Sequence, residues 1–177
     1  MLRRAGFAFE VAVARIDELA APHLSLRELT IANATRKARF IAQERTDAVV
    51  LAADTLVALE GEIIGKPRHI DEAREILRQL SSRVHDVCTG VCIVAGPQRR
   101  FASFTEISRV RFRQLNDQAI DDYFGKVNPL DKASAYAAQG RGREIIASVE
   151  GSFTNVVGLP MEPTIAVLAQ FGIYPRR

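Results

Sequence analysis

Ala48-Val49-Val50-Leu51-Ala52-Ala53-Asp54-Thr55 is the stretch on which the fold turns. Six apolar residues run without interruption into a carboxylate. A strand covered on both faces shows such a continuous run instead of a polar–apolar alternation, so Ala48 to Ala53 reads as a buried strand. The strand is expected to stop abruptly at Asp54-Thr55. Ligands of α/β sheets gather at strand ends. Asp54 is therefore a candidate general base or a ligand for a divalent cation, with an ordinary turn aspartate as the alternative.

Working outward, Leu56 to Leu59 and Ile63-Ile64 flank Glu60-Gly61, a hairpin pattern that Gly65-Lys66-Pro67 closes. The proline biases Lys66 to an extended backbone, and its ammonium is a good point-charge partner for phosphate. Asp71 to Leu80 reads as a helix with Ala73, Ile76, Leu77 and Leu80 on one face. Val84 to Ala95 and Phe101 to Phe112 read as long strands around a turn at Gly96-Pro97. Asn116 caps a helix running to Phe124, 128–142 is loop, and Ile145 to Val149 is a short strand. A last helix begins near Pro160 and ends near Gly172. Upstream, Ser25 with Glu28 forms a capping-box pattern for a helix to about Gln43 that carries Lys37. Earlier still, the alternation of Phe7, Phe9, Val11 and Val13 predicts a strand, followed by Asp17-Glu18. Strands and helices in this order, with a hairpin among them, predict an α/β fold: a mixed β-sheet flanked by helices.

Composition narrows the function classes. The 177 residues suit one domain with a full core, and 47% hydrophobic with 25% charged residues excludes a disordered or fibrous chain. No apolar run reaches the roughly 18 residues of a membrane span, and no signal-peptide h-region follows Met1. Cys88 and Cys92 share one face of a strand and have no metal-ligand partners. They read as buried thiols of a reducing compartment, which places the protein in the cytoplasm. His23, His69 and His85 are scattered and form no zinc or nucleophile pattern. Net charge is only +3, and the arginines are spread along the chain, not gathered into the patch that marks a nucleic-acid binder. Of 24 basic residues, only four are lysine (Lys37, Lys66, Lys126, Lys132), leaving 24 − 4 = 20 arginines. In a chain that uses arginine by default, each lysine is a position of interest. Between 131 and 142, Asp131, Lys132, Tyr136 and Gln139 supply an acid, a base and an amide that can read a base edge.

Taken together, Ala53-Asp54-Thr55, Gly61-x-x-x-Gly65-Lys66-Pro67, Leu80-Ser81-Ser82-Arg83-Val84-His85 with Thr89-Gly90-Val91, Asp131-Lys132-Ala133-x-x-Tyr136-x-x-Gln139-Gly140 and Val156-Val157-Gly158-Leu159-Pro160 resemble the Maf family of nucleoside-triphosphate pyrophosphatases, over nearly the whole chain. The resemblance implies a single Maf-like domain over residues 1–177, elongated and two-lobed with a central cleft. It implies hydrolysis of a nucleoside triphosphate to the monophosphate and pyrophosphate with a divalent cation, Mg²⁺ or Mn²⁺. By the same resemblance Asp54 is the general base, Glu18 is an acidic site residue, and Lys37, Lys66 and Gln139 line the nucleotide site; in such a site Lys37, Lys66 and Lys132 can offset phosphate charge while Glu18 and Asp54 hold the metal or orient water. Thr55 and Gln139 match the branch that prefers dTTP and UTP. The implied partner is the nucleotide, with neither nucleic acid nor membrane, and a homodimer is compatible. The competing readings are a pyrophosphatase for other modified nucleotides and a catalytically weakened nucleotide-binding regulator of cell division.

The chain departs from the family pattern in three places. The family opens with a strand and a Ser-x-Pro-Arg-Arg-like loop, whereas Met1-Leu2-Arg3-Arg4-Ala5-Gly6 looks like the end of the helix that follows them. A chain starting there is expected to expose a sheet edge and to be a weak catalyst. Ser134 and Ala137 replace customary glycines, which predicts a stiffer loop. Ser82 replaces another, with little effect expected.

Overall fold

The computed structural model describes residues 1–21, 23–96 and 100–176. Pro97, half of the expected Gly96-Pro97 turn, lies outside the described residues. The helices are α1 (Leu26–Glu44), α2 (Ile70–Leu80), α3 (Asp117–Phe124), α4 (Gly142–Ile145), α5 (Phe153–Val156) and α6 (Met161–Gln170). The strands are β1 (Val49–Leu59), β2 (Glu62–Ile64), β3 (Val84–Ala95), β4 (Arg100–Phe112) and β5 (Ile146–Glu150), and a 3₁₀ turn covers Leu2–Ala5. They form one five-stranded sheet in the order β2-β1-β3-β4-β5, giving the expected α/β architecture. The pairs β1–β2 and β4–β5 are antiparallel. Only positions 96–99 link β3 to β4, too few for a crossover, so that pair is antiparallel as well.

Local chemistry explains most element boundaries. Ser25 Oγ accepts the Glu28 N–H, and Glu28 Oε2 accepts the Ser25 N–H at 2.8 Å, so the capping box of α1 is complete. Asn116 caps α3 in the same way. On α2, the residues Ala73, Ile76, Leu77 and Leu80 are all buried, as the 3.6-residue period requires.

Besides the single-turn helices α4 and α5, which the sequence pattern does not announce, two elements differ from expectation. Phe7 to Val13 forms no strand. Phe7 is buried, but Phe9, Val11 and Val13 are exposed, and a period-2 pattern makes a strand only where a neighbouring edge supplies hydrogen bonds. The second difference is at Asp54, which does not end its strand. β1 continues unbroken to Leu59, so Asp54 lies mid-strand.

The chain divides into two compact units. The first comprises Met1–Asp54, Thr89–Glu106 and Gly158–Arg177. In it, β1 residues alternate between two clusters: Val49, Leu51 and Ala53 join Phe7, Val91, Ile93, Leu159 and Leu168, while Val50 and Ala52 join Ala34, Ala38, Cys92 and Val94. Coverage on both faces is why the stretch reads as continuously apolar. Helix α1 lies very close to β3, because a Cβ at Gly90 would stand 2.5 Å from the Thr30 carbonyl carbon. The second unit comprises Thr55–Cys88 and Ile107–Val157, and its core gathers α2, Val57, Val87, Phe112, Tyr123 and Tyr136. Cys88 and Cys92 are both fully buried and neither forms a disulfide.

Ser82 corrects a sequence expectation. Its φ is 60°, in the left-handed region where a glycine carries no Cβ penalty, so serine at this point is strained and the substitution is not neutral.

Candidate functional site

Helix α1 and strand β1 build the site, which lies wholly within the first unit. Thr30, Asn33, Ala34, Ala38 and Ile41 are buried along the stripe of α1 that meets the sheet. Lys37 lies on that stripe one turn after Asn33. The short alanines and Gly90 let the helix approach closely, so the Lys37 ammonium reaches the strand. Its Nζ stands 2.6 Å from Asp54 Oδ1 and 2.6 Å from Glu18 Oε1. Asp54 is 5% exposed at its side chain, Lys37 22% and Glu18 60%. Asp54 is thus a buried carboxylate whose charge has a direct cationic partner, and Glu18 is the solvent-facing acid of the trio.

The second Asp54 oxygen, Oδ2, accepts a long 3.5 Å contact from Asn33 Nδ2. Burial raises the Asp54 carboxyl above the usual carboxylate range. Lys37 and Asn33 pull it down, Glu18 pushes it up, and burial prevails. Burial pulls the Lys37 ammonium down, but its hydrogen bonds to Asp54 and Glu18 outweigh that and leave it above its ordinary value. A carboxylate that holds protons more tightly than usual while still paired to a cation is well suited to accept a proton from water.

The other expected site residues fall in the second unit. Thr55 follows Asp54 along β1, and strand alternation places it on the opposite face of the sheet. Lys132 Nζ is 2.7 Å from Asp131 Oδ1. That contact holds the Asp131 carboxyl below the usual range, and Lys66 adds to the effect, so both lysines stand near one carboxylate. Gln139 is exposed at the end of the loop and accepts the Gly142 N–H at 3.3 Å through its backbone carbonyl. The fourth lysine, Lys126, pairs with Glu144 at 3.1 Å.

The loop from Asp131 to Gly142 is pinned at several points. Ser134 is buried and donates to Ile64 O at 3.2 Å, Ala135 is held at φ 64°, and Tyr136 Oη lies 2.8 Å from His85 Nε2. His85, Phe112 and Tyr136 meet edge to face with ring centroids 4.9–5.5 Å apart. Burial pushes the His85 imidazole down to about 4 and raises the Tyr136 phenol.

A cavity of about 580 Å³ between the β1–β2 hairpin and α2 is lined by Glu60, Glu62, Glu72 and Glu75. Arg83 also lines it and pairs with Glu60, but the carboxylates outnumber it and disfavour a polyanion there. Among the described residues, no three or more His, Cys, Asp or Glu side chains converge on one metal position, and no helix is long and apolar enough to cross a membrane.

Asn33 is the site residue that sequence reasoning missed. The available signal was its position, four residues before Lys37 and therefore on the same helix face.

The family model described as Maf-like protein matches residues 1–171. A dTTP/UTP pyrophosphatase of Symbiobacterium thermophilum is 44% identical over 175 residues, covering 99% of this chain and 89% of that protein. A dTTP/UTP pyrophosphatase of Bacillus cereus is 37% identical over 173 residues, covering 98% and 90%. With the family model and both relatives matching over nearly its full length, the chain belongs to the Maf-like protein family.

Proposed function

We propose that the protein is a nucleoside-triphosphate pyrophosphatase that converts dTTP and UTP to the monophosphate and pyrophosphate. The observation that carries the reading is the buried Asp54 carboxylate, raised by burial and 2.6 Å from the Lys37 ammonium. The names of the two relatives supply the substrates.

Asp54 accepts the proton of the water that attacks the α-phosphorus. Lys37 turns from its carboxylate partners to a phosphate oxygen as the substrate arrives. Glu18 and Asp54 present hard oxygen donors to a single point, the one Lys37 now takes. Mg²⁺ is commonly held by one or two carboxylates with phosphate and water completing its shell, so these two residues fit such a cation. When bound, it polarises phosphoryl oxygens and neutralises charge. The Gln139 amide has the chemistry to match both a ring carbonyl and the ring N–H of a pyrimidine.

Incubation with dTTP and Mg²⁺ tests the reading. The expected products are dTMP and pyrophosphate, and Asp54→Asn should lower kcat by about 10²–10⁴-fold, the range a general base contributes. Release of orthophosphate with dTDP would overturn attack at the α-phosphorus. Binding without turnover, unaffected by Asp54→Asn, would favour the regulator.

A further inference from the structure

Residues 7–21 form neither helix nor strand, yet this segment carries Glu18. Glu18 is mostly exposed, and an exposed ion pair with a long, flexible lysine does little to order a loop by itself. Asn33 does more. The residue is 3% exposed. Its Oδ1 accepts the Leu19 N–H at 2.7 Å, and its Nδ2 donates to the Leu19 carbonyl at 3.3 Å. One side chain thus closes both backbone groups of one residue, the double exchange by which a strand holds a neighbouring strand. The same Nδ2 faces Asp54 Oδ2 at 3.5 Å. Asn33 therefore touches the backbone next to one acid of the site and the carboxylate of the other, and it lies one helical turn from the lysine between them.

The geometry points to Asn33 as a positioning residue: it sets Glu18 against Lys37 through the backbone of Leu19. The reaction it serves rests on the proposed function above, whereas the clasp itself does not. A polar side chain that only filled its own hydrogen-bonding needs in the interior would contribute to stability alone. A positioning residue makes Glu18 and Asn33 act as one unit.

Four measurements on the full chain separate these. In Asn33→Ala, the Leu19 amide should exchange with solvent at least tenfold faster than in the natural chain. The ¹⁵N shift of the Lys37 ammonium should move in Asn33→Ala in the same direction as in Glu18→Ala. In turnover of dTTP with Mg²⁺, Asn33→Ala should lose about 10–100-fold, chiefly in kcat, the usual loss when a residue orienting the acting groups is removed. The double variant Asn33→Ala/Glu18→Ala should be within about twofold of Glu18→Ala alone, because groups acting together do not lose activity additively. Multiplicative losses, or an unmoved Lys37 signal, would overturn the proposal, as would equal Leu19 exchange in Asn33→Ala and the natural chain. If the natural chain released no pyrophosphate, the proposed function would fall, and the exchange and ammonium measurements would still decide the role of Asn33.

Discussion

Asp54 combines burial, which would favour its neutral form, with a lysine that favours the charged form. The acid limb of kcat/KM reports the free enzyme's base, and activity falls as pH drops and that base takes up a proton. Lys37 lowers the Asp54 pKa and Glu18 raises it. Lys37→Met should therefore move the acid limb to higher pH, because burial then acts with less opposition. Glu18→Gln should move it to lower pH. Initial rates at subsaturating dTTP across pH 4–9 check both, and shifts in the same direction would refute this account of the trio. Asp54 and Lys66 were legible as residues with chemical potential, from a carboxylate closing an apolar run and from a lysine before proline. Asn33 was not, because its place four residues before Lys37 shows only a shared helix face, and nothing local says whether that face meets a sheet or water.

At the scale of elements, capping and periodicity carried most of the reading. Ser25 with Glu28, Asn116, and the face of α2 behaved as their local chemistry required. The failures share a cause. Whether Phe7 to Val13 is a strand depends on a partner edge, and whether β1 ends at Asp54 depends on what lies beside the carboxylate; both are nonlocal. A lysine and an asparagine from α1 satisfy Asp54, so the strand can continue through it. Ser82 shows the same limit on a smaller scale, since its left-handed backbone is set by the turn between α2 and β3. Its N–H bonds to Arg113 O at 3.0 Å, which holds the turn in place. Ser82→Gly should stabilise the protein by about 0.5–1 kcal/mol, relief of the Cβ clash being partly offset by the greater freedom of glycine in the unfolded chain. Denaturant midpoints measure this, and a lower midpoint for the glycine variant would contradict it.

At the scale of the whole molecule, β1, β3 and β4 each contribute to both compact units, and each unit has a core of its own. His85 sits in the core of the second unit and stays neutral there down to about 4, while the unfolded chain takes up a proton near 6.5. Above pH 6.5 neither state is charged at this residue, and it has no effect. Between 6.5 and 4 the unfolded state binds the proton and the folded state does not, so stability falls as pH falls, levelling below about 4. The gap of about 2.5 pH units amounts to a loss on the order of 3 kcal/mol. In denaturation from pH 7.5 to 4, the natural chain should lose stability more steeply than His85→Gln, and parallel curves would remove His85 as the cause.

The amino-acid sequence by itself determined the α/β class, the approximate bounds of α1, α2, α3 and α6, and Asp54 as a candidate carboxylate, because hydrophobic period, caps and residue chemistry are local properties. Only the tertiary structure decided that Asp54 lies within a strand, that Lys37 bridges it to Glu18, and that Asn33 clasps the segment bearing Glu18. Those facts depend on how closely α1 approaches the sheet across Gly90. That distance follows from packing between residues 60 positions apart in Thr30 and Gly90, which no local pattern encodes.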